Sequence, residues 1–244
     1  MKLNISENSV ELGRAAAADA AARLRAAISA QGEARIVLST GASQFDMFEA
    51  LVKEDVDWSK VEMFHLDEYI ALPITHKASF RKYLRERFVS RVPIKSVNFV
   101  DTEGDVKKAI EEVSAKLLEK PVDLGLIGIG ENGHIAFNDP PADFGTEDCY
   151  IVVNLDDNCK RQQVREGWFP TVADVPSQAV SMSVHRIMMC RSIISVVPHE
   201  VKARAVAETL SRPVCPEVPA TMLKMHPDWT LYLDRNSAGL IKKA

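Results

Sequence analysis

The chain has 244 residues, 46% hydrophobic and 26% charged, a length and balance that can bury a sizeable core. Thirty basic against 34 acidic residues give a net charge of −4, the wrong sign for a chain that grips a nucleic-acid backbone. No apolar run approaches the roughly 20 residues of a membrane span, and the N-terminus MKLNISENSV lacks the charged-then-apolar order of a signal peptide. A cytoplasmic protein with no nucleic-acid or membrane partner is therefore expected. The four cysteines (Cys149, Cys159, Cys190, Cys215) form no CxxC or CxxxC pair, so they are expected as free thiols rather than as a zinc site or disulfide framework.

Residues 9–30 are Ala- and Arg-rich with no Pro, which predicts a helix that Ser6 or Asn8 can cap. The short β-branched run RIVLST follows. Further apolar runs at 61–66, 96–100, 122–129, 178–184, 192–197 and 229–233 are separated by charged, 3.6-periodic or Pro-interrupted stretches. This alternation predicts a single α/β domain over residues 1–244, with a doubly wound, mostly parallel, Rossmann-like sheet and helices on both faces. The runs 122–129 and 192–197 are apolar on both faces and suit central strands. Residues 138–149 form the longest irregular segment, and no linker or internal repeat interrupts the chain.

Ligands in such a sheet sit beyond the carboxyl ends of the strands, and three strand-end segments stand out. Thr40-Gly41-Ala42-Ser43 leads from a strand into a helical pattern, a combination that suits a phosphate but also describes an ordinary helix cap at Ser43. His65-Leu66-Asp67-Glu68-Tyr69 follows VEMF; alternation puts His65 and Asp67 on one face and Glu68 on the other, and no further clustered ligand supports a metal there. The segment Gly128-Ile129-Gly130-Glu131-Asn132-Gly133 matches GxGxxG formally, yet Pro140-Pro141 leave no room for the long helix a dinucleotide site needs. A glycine loop followed by His134, with Asp139 five residues on, instead reads as a general acid/base with its orienting carboxylate.

The segments FHLDEYIALP and GIGENGHIAFNDP resemble the glucosamine-6-phosphate deaminase (isomerising) family over nearly the whole chain. The resemblance implies conversion of a hexosamine phosphate, glucosamine 6-phosphate, with water to fructose 6-phosphate and ammonia, with no cofactor and no metal. It assigns Asp67 as the carboxylate that moves the C2 proton to C1 and His134 as the ring-opening residue, with Asn132 and Asp139 as the partners of that histidine. It also assigns the phosphate to Thr40, Gly41, Ala42, Ser43 and Lys202. Two departures stand out. Asp139 is one methylene shorter than the family's Glu, and the stretch LDDNCKRQQVREGWFP replaces an arginine-bearing TRxAN segment. Arg161 is the preferred phosphate arginine there, ahead of Arg165. The related 6-phosphogluconolactonases typically carry Asp-Glu-Arg and a TASLF-like run where this chain has DEY and IAFN. A rival expectation is a non-catalytic sugar-phosphate sensing domain: regulators of that kind carry a DNA-binding helix-turn-helix, for which the one Ala-rich helix of residues 1–34 is too little, and a stand-alone sensor is expected to have lost Asp67 or His134.

Overall fold

The Ala-rich stretch becomes a helix with its first turn satisfied: the Asn8 side chain accepts from the Glu11 N–H at 2.9 Å, while Ser6 ends the preceding strand. The structure, a computed structural model, describes residues 1–241; residues 242–244 of the expected unit lie outside the described residues. The strands are β1 (Lys2–Ser6), β2 (Ala34–Leu38), β3 (Val61–His65), β4 (Asp67–Tyr69), β5 (Ser96–Asn98), β6 (Leu124–Leu126), β7 (Tyr150–Asn154), β8 (Gln178–Met182), β9 (Ser192–Val197) and β10 (Trp229–Asp234). The helices are α1 (Ser9–Gln31), α2 (Phe45–Leu51), α3 (Phe80–Arg87), α4 (Val106–Leu118), α5 (Asp157–Arg165), α6 (Val184–Met188) and α7 (Ala203–Ser211).

Seven strands form one parallel sheet in the order β1-β10-β9-β6-β2-β3-β5. The apolar strands β6 and β9 lie inside it, and every residue of both is buried. Side chains alternate between two cores, as the pleat requires. Val37 of β2 joins a cluster with Val113 of α4, Ile187 of α6 and Val206 of α7, whereas Ile36 and Leu38 join one with α1, α2 and α3. Small residues set the spacing on that second face. Ala16, Ala17, Ala20 and Ala21 of α1 are buried, and a Cβ on Gly13 would fall 2.7 Å from the Asp46 carbonyl carbon of α2.

The run at 178–184 departs from the expected parallel alternation. Its strand β8 pairs antiparallel with β4 and β7 in a separate three-stranded sheet. Leu66 is where the chain leaves the large sheet, and Asp67–Tyr69 then pair with Ser181–Ala179 in the small one. Strands β1, β4 and β7 have no counterpart in the sequence reading, because each is short or only half apolar. The segment 127–149 contains no helix, as the proline pair requires. No described helix is long and apolar enough to cross a membrane.

Candidate active site

A cavity of about 430 Å3 opens beyond the carboxyl ends of β2, β3, β6 and β9. Its lining brings together Thr40, Gly41, Ala42, Ser43, Asp67, His134 and Lys202. At Gly41 the backbone has φ +104°, a conformation that L side chains rarely adopt. The Gly41 carbonyl is held by the Tyr83 hydroxyl at 3.0 Å and the Gln44 N–H at 3.1 Å. The N–H groups of Gly41, Ala42 and Ser43 donate to no acceptor among the described residues. Lys202 lies in the turn that opens α7 and is only 6% exposed; its N–H donates to the His199 carbonyl at 3.0 Å, while its ammonium makes no ion pair or hydrogen bond among the described residues. Burial lowers its pKa against the upward pull of Glu166 and Glu131. Free amides and a desolvated cation in one wall together suit an anionic ligand.

Asp67 and Glu68 have opposite fates. Asp67 is buried, reaches the cavity, and accepts no hydrogen bond from the protein among the described residues. Burial first, and then the neighbouring Glu68 charge, hold its pKa well above the usual carboxylate range. Glu68 instead accepts from Ser79 Oγ at 2.9 Å, Arg81 N at 2.9 Å and Arg81 Nε at 3.2 Å, and so ties down the start of α3. His65 does not share the Asp67 position, contrary to the alternation argument. It ends β3, packs its ring edge-on to Phe99 at 5.3 Å, and burial depresses its pKa to about 3. The alternation fails because the two residues belong to different sheets.

The glycine loop delivers a histidine. The ring of His134 lies against Gly130, where a Cβ would fall 2.2 Å from ring atoms. Gly130 N–H donates to the His134 carbonyl at 2.9 Å, and His134 N–H donates to Asn132 Oδ1 at 3.1 Å. His134 Nδ1 lies 3.0 Å from Asp139 Oδ1, which also accepts from Asn132 Nδ2 at 3.2 Å. Burial pushes the Asp139 pKa up, but the His134 ring and the Asn132 amide outweigh it and hold it below the ordinary value.

Arg161 does not line this cavity, whereas Arg165 does. Arg161 faces a neighbouring hollow with Arg204, and its Nη2 lies 3.4 Å from Asn158 Oδ1. Arg165, one turn later in α5, pairs with Glu131, which also lines the cavity. Glu131, Gln162, Gln163, Glu166, Trp168 and His199 also line the cavity and were not singled out from sequence. For Gln162, Arg165 and Glu166 the available signal was their i, i+3, i+4 spacing over the last turn of α5 and its C-cap. His199 offered none: its φ of +79° is held by an N–H donated to Asp234 Oδ2 at 3.0 Å.

The chain is similar to known proteins along its length. The family model described as glucosamine-6-phosphate isomerases/6-phosphogluconolactonase matches residues 7–232. The glucosamine-6-phosphate deaminase of Streptococcus pneumoniae is 33% identical over 245 residues, covering 100% of both chains. A solved monomeric glucosamine-6-phosphate deaminase superposes with a TM-score of 0.88 at 26% identity, covering 98% of this chain and 100% of that one. The 6-phosphogluconolactonase from Trypanosoma brucei shares the fold, with a TM-score of 0.82 at 18% identity over 99% and 98% of the two chains.

Proposed function

The chain belongs to the glucosamine-6-phosphate isomerase/6-phosphogluconolactonase family, and from that membership we propose that it is an enzyme converting glucosamine 6-phosphate and water to fructose 6-phosphate and ammonia. The observation that carries this reading is a cavity bordered by two separate titratable systems, the unpartnered Asp67 carboxylate and the His134 ring with Asp139 behind it. Moving a proton between adjacent carbons and opening a sugar ring are distinct proton transfers, and each needs its own acid/base.

In this reading His134 takes the C1 hydroxyl proton on its free ring nitrogen and gives it to the ring oxygen as the ring C–O bond breaks, which frees the aldehyde. Asp139 orients the imidazole and stabilises its charged form. Asp67 removes the proton from C2, the electron pair forms a C1–C2 double bond, and the carbonyl oxygen takes a proton from the substrate's own ammonium, leaving an enolamine. Return of the proton to C1 leaves C2 as an iminium. Water adds there, and ammonia departs as the ketone forms. The phosphate is held away from these steps by the amides of Gly41 to Ser43, the hydroxyl groups of Thr40 and Ser43, Lys202, and Arg165 released from Glu131. The metabolic setting proposed is cytoplasmic, supported by four cysteines that are all free.

Incubation with glucosamine 6-phosphate, galactosamine 6-phosphate and 6-phosphogluconolactone tests the reading. Ammonia release from a hexosamine phosphate is expected. Lactone hydrolysis with no ammonia from either amino sugar would overturn it.

A further inference from the structure

Cys159 stands in the first turn of α5, where the Asp156 side chain accepts from its N–H at 2.6 Å, and it is 1% exposed. Its Sγ, a ring nitrogen of His134 and a carboxylate oxygen of Asp139 all lie within 4.8 Å of one another. Two atoms of this cluster are buried with no hydrogen-bond partner, His134 Nδ1 and Asp139 Oδ2. The 3.0 Å contact between the two side chains is thus close but poorly aligned for a linear hydrogen bond. Nor are these solvated surface acids, since the His134 and Asp139 side chains are 13% and 7% exposed. A carboxylate oxygen without an aligned donor, a misaligned ring nitrogen and a thiol thus face one another at a point where a single cation could engage all three.

We propose that His134, Asp139 and Cys159 form a binding site for a thiophilic divalent cation, Zn2+ by ligand type, and that its occupancy inhibits catalysis. One thiolate, one imidazole and one carboxylate suit zinc, whereas magnesium and calcium take oxygen ligands. Ligands at about 2.0–2.3 Å from a tetrahedral ion stand roughly 3.3–3.8 Å apart, so closure by about an ångström completes the site. Of the three ligands, His134 borders the active-site cavity. An ion on Nδ1 uses that lone pair and leaves the proton on Nε2, so the ring has no free lone pair with which to accept one. The inhibitory part rests on the ring-opening role proposed above for His134; cation binding does not.

The test titrates the full chain with Co2+ as a coloured substitute for zinc. One ion per chain is expected, with a near-ultraviolet thiolate-to-cobalt charge-transfer band that Zn2+ abolishes. Cys159→Ser should lose the band and Cys215→Ser should keep it, with circular dichroism establishing that both are folded. No band in the native chain, or a band that survives Cys159→Ser, overturns the site. In parallel, zinc should suppress ammonia release at least tenfold, a chelator should restore it, and the remaining turnover of Cys159→Ser should ignore zinc. Full turnover with cobalt-proven occupancy overturns the inhibition. A chain that shows the band and never releases ammonia defeats the deaminase reading and not the site.

Discussion

His134 Nδ1 stands 3.0 Å from Asp139 Oδ1, and the side chain that completes the pair, Asn132, reaches the same oxygen at 3.2 Å and cannot ionise. The cluster therefore holds one charge in front of the imidazole and fixes which nitrogen faces it.

If that pair opens the ring while Asp67 moves the proton, the two should fail differently. Deuterium at substrate C2 should slow the native enzyme. In His134→Gln, kcat/KM should fall by about 10²–10⁴ while the isotope effect shrinks toward unity, because ring opening becomes the slow step. Asp139→Asn should move the same way by less, and Asp139→Glu should retain most turnover. An undiminished isotope effect in a slow His134→Gln enzyme would place His134 at the proton transfer itself.

Asp67→Asn should lower turnover by about 10²–10⁴ with substrate still bound. The same variant should be more stable than the native chain at neutral pH. The folded-state pKa of Asp67 is raised, so the folded state binds more protons than the unfolded state above the ordinary carboxylate pKa. Native stability therefore falls as pH rises from that value to the folded pKa, then levels. Denaturant melts of both proteins from pH 3 to pH 8, roughly, should show a gap that opens with rising pH; a constant gap would contradict the sign.

Lys202→Met keeps the stem and removes the charge. KM for the phosphorylated sugar should rise tenfold or more, and unphosphorylated glucosamine should be a very poor substrate of the native chain. Arg165→Ala should also raise KM, and Arg161→Ala should leave it within about twofold, since only Arg165 borders the cavity. Steady-state kinetics on the three variants distinguish the two arginines.

Gly130→Ala should impair activity by displacing the His134 ring, because the new methyl would fall 2.2 Å from it. Gly13→Ala should leave the site intact and lower stability by about 1–3 kcal/mol, since the Asp46 backbone leaves no space for it. Thermal melts and kcat on the two variants should show opposite patterns, with activity lost in one and stability in the other.

Rate curves against substrate should be hyperbolic. The family resemblance implies a contrast with its allosterically activated members, in which a basic pair follows the segment matching Phe137-Asn138-Asp139-Pro140. This chain places Thr146-Glu147-Asp148 there, with both acids exposed, and they repel a second phosphate. Sigmoidal kinetics relieved by N-acetylglucosamine 6-phosphate would refute this.

Local chemistry made much of the molecule readable in one dimension. The Ala-rich helix, its Asn8 cap, the two-sided apolarity of β6 and β9, and the prolines that forbid a dinucleotide helix are consequences of short-range sterics and hydrogen bonding. The glycine loop and the acid five residues past His134 were legible for the same reason: their contact spans one tight loop. What short-range rules could not decide were relations between distant segments. Whether His65 or Asp67 reached the cavity depended on the chain changing sheets at Leu66, a choice made by pairing with Ser181 more than a hundred residues later. Arg165 in place of Arg161, and Cys159 brought against His134 and Asp139, likewise follow from how α5 docks on the small sheet through Cys159, Leu155 and Phe169. Backbone propensity acts within a few residues and so could be read directly, whereas the packing of buried apolar surface has no fixed sequence separation and needed the folded chain.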